Sequence, residues 1–241
     1  MRDAIMSRQG RNMKSSSKKL NPVRERRRRI YILLFVMPRL FNQHLRPLLG
    51  WQRFLFIARM LLSTPRYRKQ FAHRMDDAGL KEVKQTFLLV GAFYHELLRV
   101  RGEAIAFQTS HALLGDIANA VQRQAYLLPP PLPRTWEWFH QEHEAQMEEG
   151  FIRNNENDGI QRGDRVYSLH ITRCRFFETF RDMGSPGLTE AFCRSDEIVF
   201  NEYSPQMRFH RGHEQPNTIA RGGKRCAFIF ESDSSLEAAL P

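Results

Sequence analysis

The first half of the chain is patterned for helices. Ile30, Leu33, Leu34, Met37 and Phe41 recur at 3.6-residue spacing until Pro47 and Gly50 interrupt them. Phe54, Ile57, Leu61 and Leu62 resume the pattern up to Ser63-Thr64-Pro65. Asp76 and Asp77 are placed to start the next helix, whose apolar face runs through Leu80, Val83, Phe87, Leu88 and Val90. The stripe continues through Leu97, Leu98, Ile105, Phe107, Leu113, Leu114, Ile117 and Val121, with Gly91 and Gly102 as candidate kinks. The proline-rich run at 127–133 marks a boundary that favours polyproline II geometry over helix. After it, Thr135 caps a helix through Trp136, Phe139 and Met147 that Gly150 ends.

The period then changes. Residues 152–163, rich in Asn, Asp and Gly, read as a loop, and residues 165–171 alternate as a strand. Residues 176–183 and 188–194 read as two short helices split by Gly184-Ser185-Pro186-Gly187. Residues 198–203 and 207–210 read as short extended segments, and 218–220 with 226–231 as a closing hairpin around Gly222-Gly223. The expected fold is α+β, an N-terminal helical layer (24–150) packed on a small antiparallel sheet with short inserted helices (164–231). Residues 24–241 would then form one domain.

Charge alters this picture at one end. The chain carries 37 Lys and Arg against 26 Asp and Glu, net +11. Residues 1–29 hold eleven of those cations and two acids, a surplus of +9, and have little apolar periodicity up to residue 23. A disordered basic tail is expected over 1–23. The basic surplus has little aromatic interleaving, so specific nucleic-acid recognition is not expected. The apolar run at 30–37 is too short to span a bilayer and lacks a cleavage site, which points to a cytoplasmic protein. Contact with an anionic membrane surface through residues 24–37 is the alternative use for it.

Candidate chemistry gathers in the last third, where all three cysteines lie. Cys174 ends a strand, Cys193 sits in a short helix and Cys226 opens the last strand. Their spacing is no zinc knuckle. Three thiols could still converge on a divalent metal, zinc or else iron or manganese. One could instead be a nucleophile activated by Arg173, Arg175 or Arg194. Simple apolar packing is the third use. Cys193 and Asp196 share a face if their helix continues. Arg211 could clamp a carboxylate. His140, His143 and Glu144 lack metalloprotease order, and 142–149 reads as a solvated helix face.

Read as an ordered set, His170-x-Thr172-Arg173-Cys174, Gly184, Cys193-x-x-Asp196, Arg211, Thr218-Ile219-x-x-Gly222 and Cys226-x-Phe228 resemble the L-2-amino-thiazoline-4-carboxylic acid hydrolase family over 167–230. The segments between Arg211 and Thr218 and just beyond Gly222 depart from that pattern. The resemblance implies hydrolysis of a cyclic isothiourea carrying a carboxylate. Asp196 would act as general base or amidinium partner, with Cys193 and Cys174 as the other catalytic candidates. Arg211, Thr218 and Arg173 would bind substrate, and Cys174, Cys193 and Cys226 are the candidate metal ligands. The competing expectation is a non-enzymatic small-ligand or metal-binding sensor domain.

Overall fold

The computed structural model describes residues 21–127 and 134–232. The tail over 1–20 and most of the proline-rich boundary lie outside that range. Helix begins earlier than expected. Asn21 Oδ1 accepts from the backbone N–H of Val23 and Arg24 at 3.0 and 3.2 Å, and Pro22 at the first position has no N–H to leave unpaired. Helix α1 (Pro22–Tyr31) passes through a π-helical turn (Ile32–Val36) into α2 (Met37–Leu49).

The expected break at Pro47 and Gly50 is met, and the one at Pro65 is absorbed. Pro47 lies in the last turn of α2, which ends at Gly50 with φ +52°. Pro65 lies inside α3 (Arg53–Gln70). There Ser63 Oγ and Thr64 Oγ1 each donate to Met60 O at 2.9 Å, and Tyr67 and Phe71 beyond the proline are buried. Anchoring of those two rings outweighs the one backbone hydrogen bond that proline removes. Asp77 caps α4 (Ala78–Arg101) at Leu80 N, 2.9 Å away. Gly102, φ +80°, separates α4 from α5 (Glu103–Tyr126). Gly91 is not a kink but a contact. A Cβ there would stand 2.8 Å from Met183 Sδ and 2.9 Å from the Phe71 ring.

Helix α6 (Trp136–Glu149) is capped by Thr135 as expected, yet its charged run is not a wet face. Glu142, His143 and Glu144 are buried. Arg24 donates to Glu142 and Arg162 to Glu144, both at 2.7 Å. The His143 ring meets Tyr167 OH at 2.9 Å, and burial pushes its pKa down to about 3, so it is neutral. Partners from distant segments turn this helix inward.

The sheet is antiparallel. Two short strands, β1 (Glu156–Asn157) and β2 (Gln161–Arg162), replace the expected loop and both pair with β3 (Val166–Arg173). The order is β1-β3-β5-β4, with β4 at Met207–His210 and β5 at Cys226–Ser232. Helix α7 (Arg175–Asp182), a 3-10 turn (Pro186–Thr189) and α8 (Glu190–Asn201) connect β3 to β4. The extended segment expected over 198–203 is mostly the end of α8. Ala191, Ser195 and Val199 bury one helical face, and Asn201 fastens that end to β4 by accepting from Phe209 N at 2.9 Å. Residues Ile219–Arg221 form a 3-10 turn, so the closing hairpin is absent and β5 pairs with β3 and β4 instead. The α+β class holds, and no helix among the described residues is long and apolar enough to cross a membrane.

Two apolar clusters form the core. One packs α2 to α5 against α7 and α8, and the other packs the sheet against α5, α6 and α8. Phe230 is fully buried in the second, with its ring 4.7 Å from Phe139, 4.9 Å from Phe209 and 5.1 Å from Phe200. Phe230→Ala is expected to cost about 3–5 kcal/mol in urea unfolding, as large aromatic truncations do. A loss below about 1 kcal/mol would mean that this cluster does not hold the sheet.

Candidate active site

The polar centre of the C-terminal third is an ion pair. Arg211 follows β4 and has a side chain 2 % exposed; Asp196 lies on α8 with a side chain 13 % exposed. Arg211 Nη2 donates to Asp196 Oδ2 at 2.7 Å and to Cys193 O at 3.3 Å, and Nη1 donates to Ala227 O at 3.3 Å. The guanidinium lies 4.5 Å from the Phe228 ring centroid and 5.3 Å from that of Phe209, which fixes its plane. Gln122 of α5 donates to Asp196 Oδ1 and accepts from Ser195 Oγ at 3.0 Å. Burial lifts the Asp196 carboxyl above the ordinary carboxylate value, with the Arg211 charge working against that lift.

The thiols surround this pair. Cys193 lies one turn before Asp196 on α8, and its backbone carbonyl accepts from Arg211. Cys174 caps α7, its Sγ accepting from Phe177 N at 3.4 Å. Cys226 Sγ accepts from Ile219 N at 3.2 Å, which ties β5 to the segment carrying Thr218. Helix pitch, a cap and a strand start thus bring together residues dispersed along the chain.

The expected activation of a thiol is not met. Burial pushes Cys174 and Cys193 up to about 12 and raises Cys226, so the thiols are protonated near neutrality. The arginines meant to activate them are engaged elsewhere or exposed. Arg173 pairs with Glu178 at 2.6 Å, Asp77 at 3.0 Å and Glu156 at 3.1 Å, while Arg175 pairs with Asp77 at 3.0 Å and Arg194 is exposed. Arg173 is therefore a strut between β3, α7 and the start of α4 rather than a free substrate contact. Among the described residues no group of three or more His, Cys, Asp or Glu side chains could hold a metal ion. The cation amid the thiols is Arg211, which opposes a second positive charge. The residues present do not fit a thiolate-bound divalent metal, and no step below uses one.

Several buried polar atoms here lack a partner. Arg211 Nε has no hydrogen bond and stands 3.7 Å from Glu197 Oε1. Thr218 is fully buried with Oγ1 unpartnered, and Asn217 Oδ1 beside it is also unpartnered. Such atoms cost free energy unless a ligand or water meets them. The loop carrying them leans on Gly223, where a Cβ would fall 2.5 Å from Pro216 O.

A cleft of about 280 Å³ lined by Arg134, Trp136, Tyr203 and Ser232 lies elsewhere, at the end of β5 opposite Cys226. Its Ser232 lies six residues along β5 from Cys226, and neither Arg211 nor Asp196 lines it. Asp196 is the exposed edge of the pair, so approach is from its side. Gln122 gave no signal in the sequence, because nothing local to it marks contact with a residue 74 positions away.

No curated protein and no solved structure matches the chain. A family model described as L-2-amino-thiazoline-4-carboxylic acid hydrolase matches residues 82–230. The match runs from α4 to β5, takes in every residue of the ion pair and its thiol surround, and reaches well into the helical layer. With more than half of its length matched, the chain belongs to the L-2-amino-thiazoline-4-carboxylic acid hydrolase family.

Proposed function

We propose that the chain is a hydrolase opening a small cyclic isothiourea that bears a carboxylate. Conversion of L-2-amino-thiazoline-4-carboxylate to N-carbamoyl-L-cysteine is the type reaction. The observation that carries this reading is the buried Arg211–Asp196 pair with Arg211 Nε left without a hydrogen bond, inside the family segment.

The substrate carboxylate accepts from Arg211 Nε, the guanidinium nitrogen without a hydrogen bond, in a charge-assisted contact. That contact competes with Asp196 for the guanidinium charge. Asp196, partly released, gains proton affinity and takes a proton from water as the water oxygen bonds to the ring carbon between nitrogen and sulfur. As that bond forms the C=N electron pair moves onto the ring nitrogen; the hydroxyl proton of the tetrahedral adduct passes to this nitrogen as C=O forms, and the C–S bond breaks with its electron pair on sulfur. The thiolate receives the proton from Asp196, and the former ring carbon becomes the carbamoyl carbon of the product. Gln122 holds Asp196 Oδ1 throughout, so the carboxylate keeps its orientation. The neutral thiols flank the pair without adding charge to it.

Two measurements test this. Thiol release should follow the carboxylate-bearing ring, while the same ring without its carboxylate should lose about 10²-fold or more in kcat/KM, the scale of a lost charged hydrogen bond. Equal rates on both would remove Arg211 from substrate binding. The base works ionised, so activity should rise with pH through the folded-state pKa of Asp196, and the acid limb should lie above about 3.9, the ordinary Asp value. An acid limb at or below that value would remove Asp196 as the base.

A further inference from the structure

We infer that helix α3, with the connection before it, docks this protein on an anionic membrane surface. The outward face of α3 is apolar. At 100° per residue Phe54, Leu55, Ala58, Leu61, Leu62 and Pro65 fall in one stripe, and all six are exposed, Phe54 at 63 % and Leu62 at 82 %. The opposite face buries Phe56, Met60 and Tyr67. An ordinary surface helix has the reverse polarity outward, and a patch this continuous is a contact surface.

Neighbouring elements add further exposed apolar side chains. Phe41 of α2 and Phe56 of α3 both pack edge-on to Phe93 of α4, at 5.4 and 5.7 Å, so the two helices lie in one layer with their other faces outward. Trp51, in the turn joining them, is 68 % exposed. Leu33, Leu34 and Phe35 on the π-helical turn before α2 are each more than 60 % exposed.

Charge selects the occupant. Residues 22–70 carry twelve Lys and Arg and one acid, Glu25, while residues 71–241 carry nineteen Lys and Arg against twenty-four Asp and Glu. The +11 of the first three helices thus faces a −5 body. Helix α3 itself has five cations and no acid, and Arg66, Arg68 and Lys69 close its apolar stripe. A second copy of the same face would oppose cation to cation. Anionic headgroups above a hydrocarbon boundary match both features, with tryptophan at the interface. The helix lies on the surface and does not span it. This layer also precedes the family segment at 82–230, so docking is separate from the hydrolytic site.

The test is sedimentation of the full chain with vesicles of phosphatidylcholine plus phosphatidylglycerol and with phosphatidylcholine alone. Binding should be about tenfold or more tighter with the anionic lipid. Leu55→Asp/Leu62→Asp, at exposed positions that leave the core untouched, should weaken it by about a hundredfold or more while thiol release in solution is unchanged. No binding to the anionic vesicles would overturn the inference. So would binding that the double variant leaves intact, which would assign it to the basic residues outside α3. A wild-type dimer that the double variant splits in light scattering would overturn it in favour of self-association.

Discussion

Asp196→Asn is expected to lower kcat/KM by about 10²–10⁴, the range for a positioned general base. The substitution keeps the side chain's shape and its contact with Gln122, so loss of charge is the main change. It also removes the closest counter-charge of the Arg211 guanidinium, whose other hydrogen bonds are to two backbone carbonyls at 3.3 Å, with Glu197 Oε1 at 3.7 Å. Rate should therefore be measured well below the unfolding midpoint, with folding checked by circular dichroism. Turnover within about threefold of wild type in a folded variant would show that the proton goes elsewhere.

The second large effect is on stability. Arg211→Met should destabilise by about 3–5 kcal/mol, because it leaves a buried carboxylate without its counter-charge. Asp196→Asn should fall in the same range for the converse reason. The double variant Asp196→Asn/Arg211→Met removes both charges and should recover most of the loss, since replacing a buried pair with neutral groups of similar size is often close to neutral. Activity should not return with it. Urea unfolding of the four proteins gives the coupling directly. Additive losses would mean that the 2.7 Å contact is not energetically real, and recovered turnover would place the pair in folding alone.

The sequence was legible where a residue's role is set by its neighbours. Thr135, Asp77 and Gly150 marked helix ends because caps act within a turn. The alternation over 165–171 marked β3 because one face of that strand is buried and Tyr167, Leu169 and Ile171 fill it. The end of α8 was misread because Ile198-Val199-Phe200 looks like a strand core, and only packing against the sheet shows that the burial follows helical pitch. The inward face of α6 was hidden because Arg24 and Arg162, which neutralise its acids, come from far away in the chain.

The site divides in the same way. The grouping of Cys193, Asp196, Arg211, Thr218 and Cys226 could be read from their order along the chain. Their chemistry could not, because it depends on burial. Burial keeps the thiols protonated, and the Arg211 charge among them is directed at Asp196. Arg173 stands next to Cys174 in sequence, yet its guanidinium is committed to Glu178.

The most direct measurement is the product formed by the wild-type chain from L-2-amino-thiazoline-4-carboxylate in heavy-oxygen water, read by mass spectrometry alongside a free-thiol assay. The account predicts N-carbamoyl-L-cysteine with solvent oxygen in its carbamoyl group and one new thiol per substrate consumed. Folded protein that leaves the ring intact beyond its spontaneous rate would contradict it.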